Sequence, residues 1–306
     1  MKAITAENIV KSYPAKKTAV YALNNVSFAV DQGEIFGLIG PDGAGKTSLF
    51  RILTTLLLAD TGKATVDGFD VINDYQNIRN RIGYMPGRFS LYQDLSVQEN
   101  LEFFATIFNT SIQENYALIK EIYEQIEPFK TRRAGQLSGG MKQKLALCCA
   151  LIHKPSVLFL DEPTTGVDAV SRKEFWEMLY RLKAQGITIM VATPYMDEAG
   201  RCDRVALIQK GKLLSVDTPN GITGAFNKPL WSVSANNMFG LMNDLKKDPA
   251  VESCFPFGQV HHVVFKGREN GRAKLDEIVG RGNYNQVTIK AIKPNIEDCF
   301  MALMRE

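Results

Sequence analysis

The chain has little that would tie it to a metal, a membrane span or a nucleic acid. Histidine occurs three times in 306 residues. Cysteine occurs five times, scattered and odd in number, with Cys148 and Cys149 adjacent inside an apolar helical run. That spacing suits neither a disulfide framework nor a zinc site, and the thiols read as reduced structural residues. No apolar run approaches the ~18 residues of a membrane-spanning helix. Met1 to Glu7 is polar and no apolar stretch follows it, so a secretory leader is not expected. Neither sign of charge dominates: 36 Lys and Arg face 33 Asp and Glu, a net charge of +3. That balance argues against nucleic acid and against a polybasic membrane contact. The expectation is a soluble, cytoplasmic chain that meets a membrane only through a partner. What is present is ordinary for a globular protein: 45% hydrophobic and 23% charged residues, enough for two domains or one with an appendage.

One stretch organises the rest. Gly40-Pro41-Asp42-Gly43-Ala44-Gly45-Lys46-Thr47 fits the phosphate-binding pattern G-x-x-x-x-G-K-[ST]. The run Glu34 to Ile39 before it reads as a buried strand, and Lys46 to Leu58 after it reads as a helix. Strand, glycine loop and helix start are the context this pattern requires. Its glycines let successive N–H groups turn inward onto phosphate oxygens, and the helix N-terminus adds partial positive charge. Lys46 reaches the β- and γ-phosphates and Thr47 holds Mg²⁺ in such a loop. Tyr13 lies ahead of it; the residue reads first as a half-buried strand aromatic, with stacking over a nucleotide base as the alternative.

Further along, Ser96-Val97-Gln98-Glu99 and Ser111-Ile112-Gln113-Glu114 have the form of capping boxes, the second opening a helix to about Glu127. A helical insert over about residues 88–140 therefore divides two α/β portions. Leu137-Ser138-Gly139-Gly140 starts another helix, to about His153. Val157-Leu158-Phe159-Leu160 runs into Asp161-Glu162, which reads as a buried central strand with two carboxylates at its C-terminal edge, where α/β sheets bind ligands. Asp161 is the residue expected on Mg²⁺ and Glu162 the one expected to polarise an attacking water; the alternative is two surface acids at a strand end. Ser171 to Glu174 is a third capping box. Lys210-Gly211 turns a hairpin. After a linker between Pro219 and Pro229, the tail reads β-α-β-β-α-β and then helix, a ferredoxin-like order. Its His261-His262 pair is expected on the surface of a strand.

In this order the motifs resemble the ATP-binding subunit of an ABC transporter. Gly40 to Thr47 corresponds to its phosphate loop, Leu137-Ser138-Gly139-Gly140-Met141 is close to its LSGGQ signature, and Val157 to Asp168 covers its Walker-B strand and the loop after it. The resemblance covers about residues 4–217. Phe89 to Leu101 and Tyr195-Met196-Asp197-Glu198-Ala199 resemble the drug-efflux exporter branch, whose ATPase subunits carry a C-terminal extension. The resemblance implies an α/β fold: a RecA-like P-loop ATPase core in residues 1–217, with an N-terminal antiparallel β part and the inserted α-helical subdomain. A small α+β domain, 218–306, follows. It implies ATP and Mg²⁺ as ligands, with Gly40, Pro41, Asp42, Gly43, Ala44, Gly45, Lys46, Thr47 and Ser48 around the phosphates, Thr47 and Asp161 on the metal, and Lys46 and Glu162 in catalysis. It moves Tyr13 to adenine stacking. Two nucleotide domains close head to tail in this family, so Ser138, Gly139 and Gly140 would serve the ATP of a second ATPase subunit. A membrane permease would dock near Arg88 to Tyr92, placing the chain on the inner face of the cell membrane. Soluble relatives acting on nucleic acid carry a long coiled coil or a second nucleotide domain; neither is read in these 306 residues, so that class is not expected.

Three family positions differ. A glutamine that contacts Mg²⁺ and the water is Gly87 here, a histidine that contacts the γ-phosphate is Pro194, and the signature's fifth residue is Met141. The expectation is a heterodimer in which this chain's own site is slow; the alternatives are an ATP-binding structural or regulatory subunit with little hydrolysis of its own, or an active homodimer relying on Glu162.

Overall fold

A computed structural model of the chain describes residues 1–14, 19–267, 271–282 and 284–305. They form two compact units, Met1–Pro219 and Asn220–Glu306. In chain order the first contains β1 (Lys2–Tyr13), β2 (Val20–Asp31), β3 (Ile35–Ile39), α1 (Lys46–Leu53), β4 (Thr61–Val66), β5 (Phe69–Asp70), α2 (Tyr75–Arg79) and β6 (Ile82–Met85). It continues with α3 (Val97–Ile107), α4 (Tyr116–Tyr123), α5 (Gly139–Leu151), β7 (Val157–Asp161), α6 (Ala169–Ala184), β8 (Thr188–Thr193), β9 (Arg204–Gln209) and β10 (Lys212–Asp217). The turn expected from Pro14 to Lys17 falls, from Ala15 on, outside the described residues.

Strands β2-β1-β4-β5 make an antiparallel sheet, and β10-β9-β3-β8-β7-β6 make a second, parallel except for the β9–β10 hairpin. Every residue of β3, β7 and β8 is buried. That is the signature of parallel strands covered on both faces, and it explains their unbroken apolar runs. Phe28, Phe36, Phe50 and Phe159 belong to the core between the two sheets and α1, with Phe28 stacked on Phe36 at 5.5 Å between ring centroids and Phe50 edge-on to Phe159 at 5.6 Å.

Several expected boundaries move. α1 stops at Leu53 because Thr55 takes a left-handed φ of 64°, and the N–H groups of Leu56 and Leu57 turn back to the Arg51 carbonyl. α4 starts at Tyr116: Glu114 N–H does bond Ser111 Oγ, but Asn115 is the residue before the helix and its side chain bonds Ile152 O and Thr110 Oγ1 instead of capping. α6 starts earlier than its expected Ser171 cap, because Asp168 accepts from the N–H groups of both Val170 and Ser171. The capping box at Ser96 and Glu99 is present as expected. The linker begins as a short helix, α7 (Pro219–Gly224).

The second unit contains β11 (Leu230–Ser234), α8 (Met238–Lys247), β12 (Val251–Phe257), β13 (Val260–Phe265), α9 (Gly271–Arg281), β14 (Thr288–Ile292) and α10 (Ile296–Leu303). Its sheet order, β12-β13-β11-β14, all antiparallel, is that of a ferredoxin-like fold. The histidine pair is not on the surface. His261 is buried and bonds the Met238 carbonyl at 2.7 Å, whereas His262 bonds Asp298 Oδ1 of α10 at 2.7 Å and stacks on Phe257. Alternation along β13 sends the first toward α8 and the second toward α10, so each finds a partner.

Candidate functional site

Register places four chain exits at one edge of the parallel sheet. Ile39 pairs with Thr193, Asp161 with Ala192 and Met85 with Leu160. The segments leaving there are the phosphate loop after β3, Pro194 after β8, Glu162 after β7 and Gly87 after β6. The edge is pinned by Gly40 N–H donating to Thr193 O at 3.2 Å. The loop glycines are required by close approach. A Cβ at Gly40 would stand 2.2 Å from Ile208 O, and one at Gly45, with φ 109°, would stand 2.2 Å from Ala22 O. Gly43 has φ 76°. Pro41 and Ala44 complete the turn, with Ala44 N–H bonding Pro41 O.

Lys46 is 3% exposed and its Nζ is surrounded by oxygen. It donates to Gly40 O at 2.8 Å and Pro41 O at 3.1 Å, and lies 3.3 Å from Glu162 Oε1 and 3.9 Å from Asp42 Oδ1. Glu162 occupies a left-handed conformation, φ 52°, held by its N–H bond to Ala192 O at 2.8 Å. A non-glycine residue in that region costs on the order of 1–3 kcal/mol, a strain that collects where a side chain must be aimed. Asp161 is 2% exposed and its Oδ1 has no hydrogen-bond partner among the described residues. Burial raises its carboxyl above the usual range; Thr47 beside it opposes the shift and the Glu162 charge adds to it. A desolvated carboxylate with an unfilled lone pair next to a threonine hydroxyl fits a divalent cation.

Tyr13 is 39% exposed at the end of β1, and its hydroxyl stands 3.3 Å from Ser48 Oγ of α1. The structure thus brings it to the first turn of the phosphate-loop helix. Ser138, Gly139 and Gly140 lie elsewhere. Ser138 caps α5 through Met141 N–H at 3.4 Å, Gly139 faces Gly166 O and Gly140 faces Ser171. Among the contacts of the described residues, none joins these three to the phosphate loop. Gly87 lies against the acids, since a Cβ there would stand 3.1 Å from Asp161 O and 3.7 Å from Glu162 Cβ. His153 is stacked on Phe108 and bonded to Ile82 O, so its ring serves the helical subdomain.

Glu198 belongs to no chemical motif of the sequence. It is fully buried and accepts from Thr164 Oγ1 at 2.7 Å and Trp176 Nε1 at 3.2 Å. It ties the loop after β7 to the turn after Pro194. Nothing in the local sequence marks an acid of a polar turn as buried; the distant Thr164 hydroxyl and Trp176 N–H demand it. Between α3, α5 and the strand ends runs a groove of about 560 Å³, lined by Tyr84, Pro86, Leu91, Phe104, Ile107 and Phe108 among others.

The family model for ABC transporters matches residues 23–165. The chain is 37% identical to the probable multidrug ABC transporter ATP-binding protein YbhF of Escherichia coli, over 98% of this chain and 52% of that protein. It therefore spans about half the length of that relative. It is 39% identical to the daunorubicin resistance ATP-binding protein DrrA2 of Streptomyces coeruleorubidus, over 72% of this chain and 68% of the relative. Among solved structures, a dimeric bacterial ABC transporter cassette superposes with a TM-score of 0.64 at 26% identity, covering 70% of this chain and 98% of the cassette.

Proposed function

The chain belongs to the ABC transporter ATP-binding family, and on that premise we propose that it is an ATPase subunit powering export through a separate membrane permease. The observation that carries this reading is the convergence of Lys46, Thr47, Asp161 and Glu162 at one sheet edge. The N–H groups of Gly43 and of Gly45 to Ser48, with the Lys46 ammonium, would grip the phosphates of ATP, Ala44 N–H being taken by Pro41 O, and Tyr13 would stack on its adenine. Thr47 and Asp161 hold Mg²⁺, which when bound neutralises charge on the β- and γ-phosphates. Glu162, aimed by its strained backbone, orients the attacking water. Ser138, Gly139 and Gly140, remote from this chain's own loop, serve the nucleotide of a second ATPase subunit. The groove beside Leu91 and Phe104 receives the permease, which holds the chain at the inner face of the membrane. Export, of drug-like compounds by analogy with the names of its relatives, is the direction we infer.

The site on this chain's own phosphate loop is slow. Gly87 has no side chain and Pro194 has no hydrogen to donate, so two groups facing the γ-phosphate are missing. The partner subunit is therefore a different chain with the faster site. An intact Lys46–Asp161–Glu162 set favours a second reading, an active homodimer. Steady-state ATPase of the purified chain separates the two. Turnover well below about 1 s⁻¹, raised by Pro194→His, supports the asymmetric pair; turnover at or above that rate, unchanged by the substitution, refutes it.

A further inference from the structure

The phosphate loop contains an acid that the reading above does not use. Its pattern needs backbone N–H groups at the variable positions, so a side chain there is free to face solvent. Asp42 does so, at 88% side-chain exposure, yet its Oδ1 remains 3.9 Å from Lys46 Nζ. The same nitrogen is 3.3 Å from Glu162. Lys46 is thus shared by two carboxylates and two loop carbonyls, Gly40 O and Pro41 O.

We infer that Asp42 is a specificity-determining residue that discriminates against the γ-phosphate, lowering this loop's preference for ATP over ADP. The inference rests on the ATP-binding reading and adds a regulation of that site. Lys46 is the group that reaches the β- and γ-phosphates. When it turns to them, Asp42 loses its counter-charge and gains an anion beside it. ATP carries one more negative charge than ADP, and that charge sits at the terminal phosphoryl, next to Lys46. Two like charges at ~5 Å change an equilibrium constant by ~4-fold in a water-like medium and by a few hundred-fold at an effective dielectric near 20. The exposure of Asp42 favours the lower part of that range, so the expected discrimination is about 10-fold. The positive N-terminus of a second subunit's signature helix, closing over the terminal phosphoryl, offsets the repulsion and links ATP loading to closure.

The test is equilibrium binding of a slowly hydrolysed ATP analogue and of ADP, both with Mg²⁺, to the full chain, Asp42→Asn and Asp42→Ala. Both variants are expected to bind the ATP analogue about 10-fold more tightly and ADP less than about 3-fold more tightly, with the difference shrinking at high salt. Equal changes for the two nucleotides, or weaker binding of the ATP analogue, overturn the inference while leaving the ATP-binding reading in place. Absence of binding of either nucleotide to all three proteins overturns the ATP-binding reading and this inference with it.

Discussion

Restoring a side chain at position 87 tests the slow-site reasoning directly. A Cβ there meets Asp161 O at 3.1 Å and Glu162 Cβ at 3.7 Å. The first contact is a few tenths of an ångström too tight, and its neighbour is the backbone of the buried strand β7. Gly87 is not among the glycines with positive φ, so its backbone admits a side chain. The cost belongs at the low end of overpacking, about 1 kcal/mol, or ~2–4 °C in Tm for a domain of this size. Gly87→Ala carries the same Cβ without an amide and isolates that cost. Gly87→Gln adds a group that reaches over Asp161 and Glu162, where the proposed function would put the metal and the water. Preorganised polar groups of this kind contribute ~10²–10³ in rate, about 2.7–4 kcal/mol. Phosphate release by the full chain at saturating Mg-ATP, for Gly87→Ala, Gly87→Gln and the double variant with Pro194→His, reads the effect. The gain from Gly87→Gln over Gly87→Ala is expected to reach at least ten-fold even after imperfect placement. The double variant is expected to be non-additive, since both groups act on one phosphoryl. Equal turnover of Gly87→Gln and Gly87→Ala, with both folded by thermal melting, refutes the reasoning.

Asp161→Asn removes a desolvated charge. Its folded carboxyl lies above the unfolded value of about 3.9, so the folded state binds more protons between the two values and cation-free stability falls as pH rises through that window. The variant should lose this slope and melt higher at neutral pH without Mg²⁺. It should also lose Mg²⁺-dependent nucleotide affinity, which in the parent rises with pH through the same window as the carboxyl ionises; melting curves and nucleotide titrations with and without Mg²⁺ check both. Asn100 is fully buried, with Oδ1 accepting from Tyr92 N–H and Nδ2 donating to the Tyr92, Leu95 and Ser96 carbonyls. Asn100→Leu strands the Tyr92 N–H, while the Tyr92, Leu95 and Ser96 carbonyls keep their backbone donors, and should cost about 1–3 kcal/mol, read as a lowered urea midpoint.

The sheet edge was legible because its signals are local. Each motif is a strand running into its own exit residues, and parallel strands advertise themselves as unbroken apolar runs. The ferredoxin-like order of the tail was legible from alternation for the same reason. What was hidden depends on distant partners. Asp168 outcompetes Ser171 as the α6 cap because its carboxylate accepts from two N–H groups at once, which spacing alone does not rank. His261 and His262 looked like surface residues because their acceptors, Met238 O and Asp298, are 23 and 36 residues away in sequence. Glu198 is buried only because Thr164 and Trp176, 34 and 22 residues earlier, both need its oxygen.

The three departures from the family pattern are unequal for a geometric reason. At position 141 the group that matters locally is the backbone N–H, which Ser138 Oγ accepts; methionine supplies it as well as glutamine does. The Ser138 hydroxyl proton stays available to donate, and the first N–H groups of α5 still point out of the helix end. On the proposed reading, what this chain would offer a partner's nucleotide is therefore intact. At positions 87 and 194 the side chain itself is the functional group, and the backbone carries only position: Gly87 still lies against Asp161 O and Thr193 still accepts from Gly40 N–H. On the proposed reading, what the chain keeps for its own nucleotide lacks two polar side chains while preserving its scaffold. A subunit that gives a complete signature and retains an incomplete switch can close on ATP at both interfaces and hydrolyse quickly at one. Mixed with a partner bearing glutamine and histidine at these positions, it should show fast turnover sensitive to Ser138→Ala and nearly indifferent to its own Glu162→Gln. The opposite pattern of sensitivities would place the fast site on this chain's own loop.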